Sequence, residues 1–319
     1  MNKLQKKIIQ LKHDKDVLIF AHNYQIPEIQ ELADYVGDSL FLAKKIKNIP
    51  KGKRIIYASV KFMAETAVLL NHGVEVYFPI SKALCPMAKF CSPKILQEYK
   101  ENNPDIPIIL YINTTTESKQ YADVICTSSN AVKVAQKIIE QTSCPKIAFG
   151  PDKNLGKFIK NKLDVPVDII PENGRCFVHD KLDTKDLEKF RKKHPEAKII
   201  AHPECRESVL READFIGSTS AMYKYVMRHP NQHIGIGTET GLIDRLKRER
   251  KNLQIWPLSP DTICRTMKKY TLSNIIKGLE NIDHGLEPLK LDKNLLKKAK
   301  IPIEKMFQLT HQPNKNLQN

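Results

Sequence analysis

The sequence predicts an α/β protein with three similar α/β/α domains, whose short parallel sheets are arranged around a pseudo-threefold axis. Three observations lead to this prediction. A polar motif occurs three times, short apolar segments alternate with amphipathic ones, and three cysteines recur at the spacing of the motif. Such alternation is typical of parallel sheets covered by helices, and the internal repeat indicates one similar domain per copy.

The polar motif keeps a fixed register in its three copies, which surround the Ala-Asp pairs at 33–34, 122–123 and 213–214. Its first position lies eleven residues before the Ala and holds His22, Tyr111 and His202. Its second position lies ten residues before the Asp and holds Tyr24, Asn113 and Glu204. Its last position lies five residues after the Asp and holds Ser39, Ser128 and Thr219.

Each copy of the motif lies within a series of predicted helices and strands. The first copy has helices over 3–13, 28–34, from Ser39 onward and over 63–71, with strands over 17–21, 35–36, 54–58 and 74–78. The second has strands over 106–112, 146–149 and 165–170, with helices from Ser128 to about 140 and over 153–162. The third has strands over 198–201, 233–237 and 253–256, with helices after Thr219 and over 239–250. Ligands of such sheets bind outside the carboxyl ends of the strands.

The period of the motif also predicts the domain boundaries. The first domain covers 1–86 together with the C-terminal helices within 268–310, which we expect to pack back on it. The second covers 87–175 and the third 176–267. Residues 311–319 form a polar tail of the kind that frays at chain ends.

Three of the seven cysteines follow the same period. Cys85, Cys176 and Cys264 are separated by 91 and 88 residues, and each comes after a strand and a proline. Around a pseudo-threefold axis their thiols would meet at one point. Thiolates suit zinc or an iron–sulfur cluster, but a structural zinc site takes four ligands, usually with CxxC pairs that this sequence lacks. A [4Fe-4S] cluster with three thiolates keeps one iron open, which can act as a Lewis acid.

The remaining cysteines have no counterparts in the other copies: Cys91, Cys126, Cys144 and Cys205. Cys126 occupies the position of Gly37 and Gly217 and is interpreted as a packing residue. The hydroxyls of Ser39, Ser128 and Thr219 each stand just before a predicted helix, where one interpretation is that they only cap backbone N–H groups. Their shared position in the repeat favours a second interpretation, in which three helix N-termini face one cavity and form an anion site for carboxylate or phosphate. The candidates for proton transfer are His22, His202, Tyr24 and Glu204, and His179 falls near the cysteines.

Composition limits the classes of function. The net charge is +16, but the lysines are spread over helix faces without interleaved aromatic residues, which favours a solvated surface over a nucleic-acid site. The sequence has no signal peptide pattern and no apolar run long enough for a membrane span. Unpaired cysteine usage of this kind is typical of a reducing compartment, so we expect a cytoplasmic protein without nucleic-acid or membrane partners.

Several motifs together resemble the quinolinate synthase family of NAD biosynthesis. They are AHNYQ-x-PE-x-Q with ADYVGDSL at 21–40, Y-x-N at 111–113, CTSSNA at 126–131, Cys176-x-x-His179, HPEC at 202–205, GST at 217–219 and GTE-x-G at 237–241. The resemblance covers roughly 17–282. It implies three α/β domains around an oxygen-sensitive [4Fe-4S] cluster. It also implies condensation of iminoaspartate with dihydroxyacetone phosphate to quinolinate, with loss of phosphate and two waters.

The resemblance assigns roles to individual residues. The cluster ligands are Cys85, Cys176 and Cys264, and the acid–base groups are Tyr24 and Glu204, with His22 and His202 beside them. The substrate contacts are His22, Ser39, Tyr111, Ile112, Asn113, Ser128, His179, His202, Pro203, Glu204, Ser218 and Thr219. Some members carry a CxxCxxC at the third ligand, whereas Leu258 and Asp261 occupy the two earlier positions here. An aspartate-oxidising enzyme is the implied source of iminoaspartate.

Two other classes of function stay open at the level of sequence. One is a different iron–sulfur hydro-lyase that uses the open iron on another small multi-anionic acid. The other is a basic nucleic-acid binding protein with a structural metal, whose binding to polynucleotide would depend on salt.

Overall fold

The computed structural model describes residues 2–310, so the predicted polar tail lies outside the described residues. The elements before the first period-related cysteine are α1 (Lys3–Asp14), β1 (Val17–His22), α2 (Pro27–Leu32), β2 (Tyr35–Gly37), α3 (Ser39–Lys47), β3 (Arg54–Ala58), α4 (Lys61–Leu70) and β4 (Glu75–Tyr77). Those between the first and second are α5 (Pro93–Asn102), β5 (Ile108–Tyr111), α6 (Thr116–Lys119), β6 (Val124–Cys126), α7 (Ala131–Thr142), β7 (Ile147–Gly150), α8 (Lys153–Leu163) and β8 (Val167–Ile169).

The third series and the C-terminal helices follow. They are α9 (Thr184–Lys193), β9 (Lys198–Ala201), α10 (Glu207–Leu210), β10 (Phe215–Ile216), α11 (Thr219–Arg228), β11 (Ile234–Gly237), α12 (Gly241–Glu249), β12 (Ile255–Pro257), α13 (Leu272–Glu280) and α14 (Lys293–Thr310). A short 3-10 turn follows each period-related cysteine, at Pro86–Lys89, His179–Lys181 and Met267–Lys269.

The strands form three parallel four-stranded sheets with the same internal order. The orders are β2-β1-β3-β4, β6-β5-β7-β8 and β10-β9-β11-β12. Every pairing is parallel, with Ile19 opposite Ile56 and Ile109 opposite Phe149, for example. The predicted fold class, α/β with three similar parallel sheets, is confirmed, whereas the pseudo-threefold axis stays a prediction.

The Asp of each Ala-Asp pair holds the first strand of its sheet. The carboxylates of Asp34, Asp123 and Asp214 accept hydrogen bonds of 2.7–2.8 Å from the backbone N–H groups of Ile19, Ile108 and Ile199, respectively. Each Asp also forms an ion pair with a lysine, at 2.9–3.2 Å. These contacts lie near the beginning of the first strand, away from its carboxyl end. The central pair of the motif is therefore structural, while its outer positions are free for another role.

The C-terminal helices pack against elements that belong to the first two sheets and their helices. Helix α13 packs on α1, and α14 packs on β6, α6 and α7 as well as α4. One continuous apolar core covers the first two sheets and these helices, while the third sheet has two smaller apolar clusters of its own. The domain boundaries given above stay a prediction.

Several elements differ from the sequence-based expectation. The helix predicted over 28–34 ends at Leu32, because Ala33 is extended and Asp34 binds β1. Helices α5 and α9 were not predicted. Both carried a signal, since Ser92 caps α5 ahead of a proline and Asp183 forms a capping box with Asp186 in α9. Among residues 2–310 no helix is long and apolar enough to cross a membrane.

Candidate active site

A buried cavity of ≈ 80 Å³ receives side chains from all three series of elements. Many of them stand at the carboxyl ends of first strands, since His22 ends β1, Tyr111 ends β5 and His202 follows β9. The predicted site residues that line the cavity are His22, Tyr24, Ser39, Cys85, Tyr111, Asn113, Ser128, Cys176, His179, His202, Glu204, Thr219 and Cys264. Pro203 and Ser218 line an adjoining outer cleft instead, and Ile112 is buried in the apolar core.

The three cysteines share one local geometry. In each, the backbone N–H three residues later in the chain, in the following 3-10 turn, donates to the sulfur; these N–H groups belong to Ala88, His179 and Met267. Burial and the neighbouring Cys264 raise the pKa of Cys85 to about 12, against the hydrogen bonds from Ala88 and Met87. Burial and Glu204 raise the pKa of Cys176, and burial raises that of Cys264. Three partly buried thiols that repel each other as anions are suited to a cationic centre, which favours their ionised form.

A Cys-His-Glu group lies at the same place. Ligand atoms of Cys176, His179 and Glu204 lie within 4.8 Å of one another. Nδ1 of His179 is 2.6 Å from a carboxylate oxygen of Glu204 and 3.2 Å from the sulfur of Cys176. Burial acts to raise the pKa of Glu204, but His179 and His202 lower it to about 2. Glu204 is therefore a buried carboxylate that can hold a metal ion or accept a proton.

The two motif histidines are neutral donors. Burial lowers the pKa of His22 to about 4 and that of His202 to about 3. In both, Nδ1 accepts a hydrogen bond from the backbone N–H two residues later, of Tyr24 at 3.2 Å and of Glu204 at 3.4 Å. That bond assigns the proton to Nε2, because a neutral imidazole has one donor and one acceptor nitrogen. Each ring can therefore donate from Nε2 to an anion.

The interpretation of the three motif hydroxyls as helix caps is wrong. Asp38 caps α3 through Phe41 N–H at 2.9 Å, and Ser218 caps α11 through Ala221 N–H at 3.3 Å. The capping position falls one residue earlier than expected at both helices. Ser39 and Thr219 are consequently the first helical residues, and their hydroxyls are free for other contacts.

Ser128 lies further from its helix, since α7 begins at Ala131. Its hydroxyl is 3.2 Å from Nε2 of His202. The hydroxyl of Thr219 accepts a hydrogen bond of 3.0 Å from the amide of Asn23. Oδ1 of Asn113 is buried without a hydrogen-bond partner among the described residues. A buried unpaired polar atom in a cavity of this kind indicates a place for a ligand group.

Comparison with known proteins agrees with this geometry. A family model described as quinolinate synthetase A protein matches residues 6–308. The curated quinolinate synthase of Thermotoga maritima is 44% identical over 303 residues, which cover 95% of this chain and 98% of the relative. The chain belongs to the quinolinate synthetase A protein family. It is therefore a member of a family of enzymes.

Two further relatives are also named quinolinate synthase. The quinolinate synthase of Methanocaldococcus jannaschii is 40% identical over 309 residues, covering 95% of this chain and 98% of the relative. That of Thermococcus onnurineus is 38% identical over 310 residues, covering 97% and 99%.

The hydroxyl of Tyr24 stays protonated in this member of the family, so it can donate a proton. Burial and Glu204 raise its pKa well above the ordinary value. Its hydroxyl lies 2.9 Å from Oγ1 of Thr238 and 3.4 Å from Nε2 of His179. Thr238 is also 2.9 Å from the same nitrogen of His179. Burial and Glu204 raise the pKa of Tyr111 in the same way. A chain of hydrogen bonds therefore connects Tyr24, Thr238, His179 and Glu204.

Thr238 was not among the predicted site residues. It belongs to the segment Gly237-Thr238-Glu239, whose resemblance to the family was the available signal. Two buried carboxylates were also missed. Oδ2 of Asp152 accepts a hydrogen bond of 2.6 Å from the backbone N–H of Cys176, and Oε1 of Glu239 accepts one of 3.1 Å from that of Cys264. Neither residue occupies a position of the repeated motif, so the repeat alone did not point to them.

Proposed function

We propose that the protein is a quinolinate synthase of NAD biosynthesis. It condenses iminoaspartate with dihydroxyacetone phosphate to quinolinate, with release of phosphate and two waters. One observation carries this proposal. The three period-related cysteines line the same buried cavity as the neutral histidine and tyrosine donors, in a chain that belongs to this family. The same residues in a protein outside this family would support only an iron–sulfur hydro-lyase.

We further propose that Cys85, Cys176 and Cys264 hold a [4Fe-4S] cluster. Among residues 2–310, the group of three ligand atoms within 4.8 Å is Cys176, His179 and Glu204, so at least one pair of the three cysteine sulfurs lies more than 4.8 Å apart. A single tetrahedral zinc with bonds of about 2.3 Å needs sulfurs roughly 3.8 Å apart. The wider spacing and the all-thiol donor set fit a cubane better. When bound, its open iron would supply a Lewis acid for a substrate oxygen.

The chain's own residues would bind and orient the dianionic substrate. His22 and His202 would donate from Nε2 to carboxylate oxygens, and the hydroxyls of Ser39, Ser128 and Thr219 would donate beside them. Charge-assisted hydrogen bonds of this type are about twice as strong as neutral ones. The first turns of α3 and α11 begin at this cavity, where helix dipoles favour negative charge.

Proton transfer would use the chain from Tyr24 to Glu204. Tyr24 stays protonated because its pKa is raised, so it would give a proton to a leaving oxygen. Glu204 is ionised and contacts His179 at 2.6 Å, so this pair would take a proton from a substrate carbon or nitrogen. Thr238 lies between the two groups and would return the proton to Tyr24.

The test is anaerobic turnover of the purified protein. Iminoaspartate is generated during the assay by an aspartate-oxidising enzyme, the proposed functional partner, and quinolinate is quantified after addition of dihydroxyacetone phosphate. We expect quinolinate and inorganic phosphate in equal amounts. A brown protein with full iron content that forms neither product would overturn the assignment and favour a hydro-lyase acting on another small multi-anionic acid.

A further inference from the structure

Each of the helices α3, α7 and α11 places a lysine at the same position of the repeat. Lys44, Lys133 and Lys224 each lie five residues after the last motif position. All three line a wide cleft of ≈ 690 Å³ outside the buried cavity. The cleft and the cavity share lining residues at Asp38, Leu40, Ser128 and Ser129. The lysines therefore stand along a route from solvent to the candidate active site.

These lysines form no ion pair within residues 2–310 of the protein. Among the described residues, none of the three has a carboxylate within 4.0 Å. By contrast, Lys137 on α7 pairs with Glu140 at 2.6 Å, and Lys47 on α3 lies over the ring of Phe307. What distinguishes Lys44, Lys133 and Lys224 from other unpaired surface lysines is that all three line the cleft.

Among the described residues, the cleft lining contains one carboxylate, that of Asp38, against the three lysines. Asp38 accepts hydrogen bonds from Phe41 N–H at 2.9 Å, from Ser129 Oγ at 3.3 Å and from Ser220 N–H at 3.3 Å. The lining of the inner cavity, in turn, includes no lysine or arginine among the described residues. A phosphate ester with a charge near −2 would thus meet cationic side chains in the cleft before it reaches the neutral donors inside.

We propose that Lys44, Lys133 and Lys224 form an outer anion site that captures the phosphate ester substrate and directs it into the cavity. This inference rests on the proposed function, because it takes the substrate to be a phosphate monoester. A cleft lined by one sign of charge raises the local concentration of the opposite ion and increases association rates by about 10–10³-fold. Ammonium groups bind phosphate as point charges, so no fixed geometry is needed for capture.

The test uses the anaerobic holoenzyme with the triple variant K44Q/K133Q/K224Q. The matched control is K6Q/K297Q/K298Q, which removes the same charge from exposed lysines on α1 and α14 that do not line the cleft. We expect kcat/KM for dihydroxyacetone phosphate to fall about tenfold or more in the cleft variant, with kcat within about twofold of the wild type. The kcat/KM of the cleft variant should also depend less on salt concentration, while the control keeps the wild-type kcat/KM and the wild-type salt dependence.

A binding measurement separates this inference from the proposed function. Calorimetric titration with inorganic phosphate and with dihydroxyacetone phosphate requires no turnover, so it stays informative if the protein makes no quinolinate. We expect both anions to bind the wild type and the control more tightly than the cleft variant. Equal affinities and equal salt dependence in the cleft variant and the control would overturn the inference. Each single Lys→Gln variant is measured as well, in case the triple variant has a lowered melting temperature.

Discussion

The backbone N–H of Cys176 donates a hydrogen bond of 2.6 Å to Oδ2 of Asp152. The other oxygen of Asp152 accepts from Asn154 and Leu155 at the start of α8, at 2.8 and 2.9 Å. Glu239 makes a similar bridge, because one oxygen accepts from Cys264 N–H and the other from Gly241 N–H at 2.7 Å. A buried carboxylate thus ties two of the three cysteine loops to a helix. Val60 stands at the corresponding start of α4, without a side-chain cap.

This bridge leads to a prediction for Asp152→Asn and Glu239→Gln. An amide presents one acceptor oxygen, so it can bind the helix or the cysteine loop but not both. We expect iron to be lost to a chelator several times faster than from the wild type. Asp183→Asn is the control, since Asp183 caps α9 through Lys185 and Asp186 and binds no cysteine. Wild-type rates of iron release in Asp152→Asn would show that this carboxylate acts only as a cap.

The proposed ligand set predicts the iron content of cysteine variants. The wild type, purified without air, should be brown and contain about four irons per chain. Cys85→Ser, Cys176→Ser and Cys264→Ser should each lose most of the iron and colour. Cys144→Ser should retain both, because Cys144 lies outside the cavity. The measurement is iron analysis with an absorption spectrum, and full iron retention in Cys264→Ser would contradict the assignment.

The proton-transfer chain predicts the effect of two conservative changes. Tyr24→Phe and Glu204→Gln should retain the cluster but lower turnover about 10²–10⁴-fold, the usual contribution of a general acid or base. Tyr99→Phe is the matched control, since its hydroxyl donates to Asp168 at 2.6 Å away from the cavity. Quinolinate formation is measured beside iron content. Wild-type turnover in either site variant would mean that these side chains only pack.

The corrected helix starts predict different effects for neighbouring hydroxyls. Ser218→Ala removes the cap of α11 and should lower the free energy of unfolding by about 1 kcal/mol. Ser39→Ala removes no cap, so it should lower stability less, whereas Thr219→Ala leaves the buried amide of Asn23 without its acceptor. Both variants should raise the Michaelis constant for at least one substrate. Melting curves and substrate kinetics are compared for the three variants. Normal Michaelis constants in Ser39→Ala and Thr219→Ala would remove the support for an anion site at these helices.

Burial of the two motif histidines predicts a pH dependence of stability. Their folded pKa values, about 4 for His22 and about 3 for His202, lie below the ordinary 6.5. The unfolded chain therefore binds more protons below pH 6.5, and stability falls as pH falls toward the folded values. Each histidine contributes a slope of up to about 1.4 kcal/mol per pH unit in this range.

The measurement is urea unfolding of the cluster-free protein at several pH values from 7.5 to 5. Asparagine retains an acceptor near the Nδ1 position but does not titrate, so His22→Asn/His202→Asn should flatten the loss of stability below pH 6.5. A double variant with the wild-type slope would show that other groups cause it.

The repeat made much of the architecture predictable. Apolar strands, amphipathic helices and the register of Ala-Asp pairs are visible locally, and they predicted three similar parallel sheets. The same register predicted that His22, Tyr111 and His202 lie close together, since first strands of similar sheets end at equivalent places. Helices α5 and α9 were missed because they lie between copies of the motif, although their capping residues were readable.

The sequence by itself thus determined the fold class, the family and which polar residues share a position in the repeat. Tertiary structure alone decided their contacts. Asp38 and Ser218 cap α3 and α11, each one residue before the motif hydroxyl. The sequence did not distinguish these neighbours, because a cap depends on backbone dihedral angles that adjacent polar residues do not specify. Thr238 meets Tyr24, and Asp152 meets Cys176, across long stretches of chain. Such pairings, and the burial that lowers the histidine pKa values, arise only when distant segments pack together.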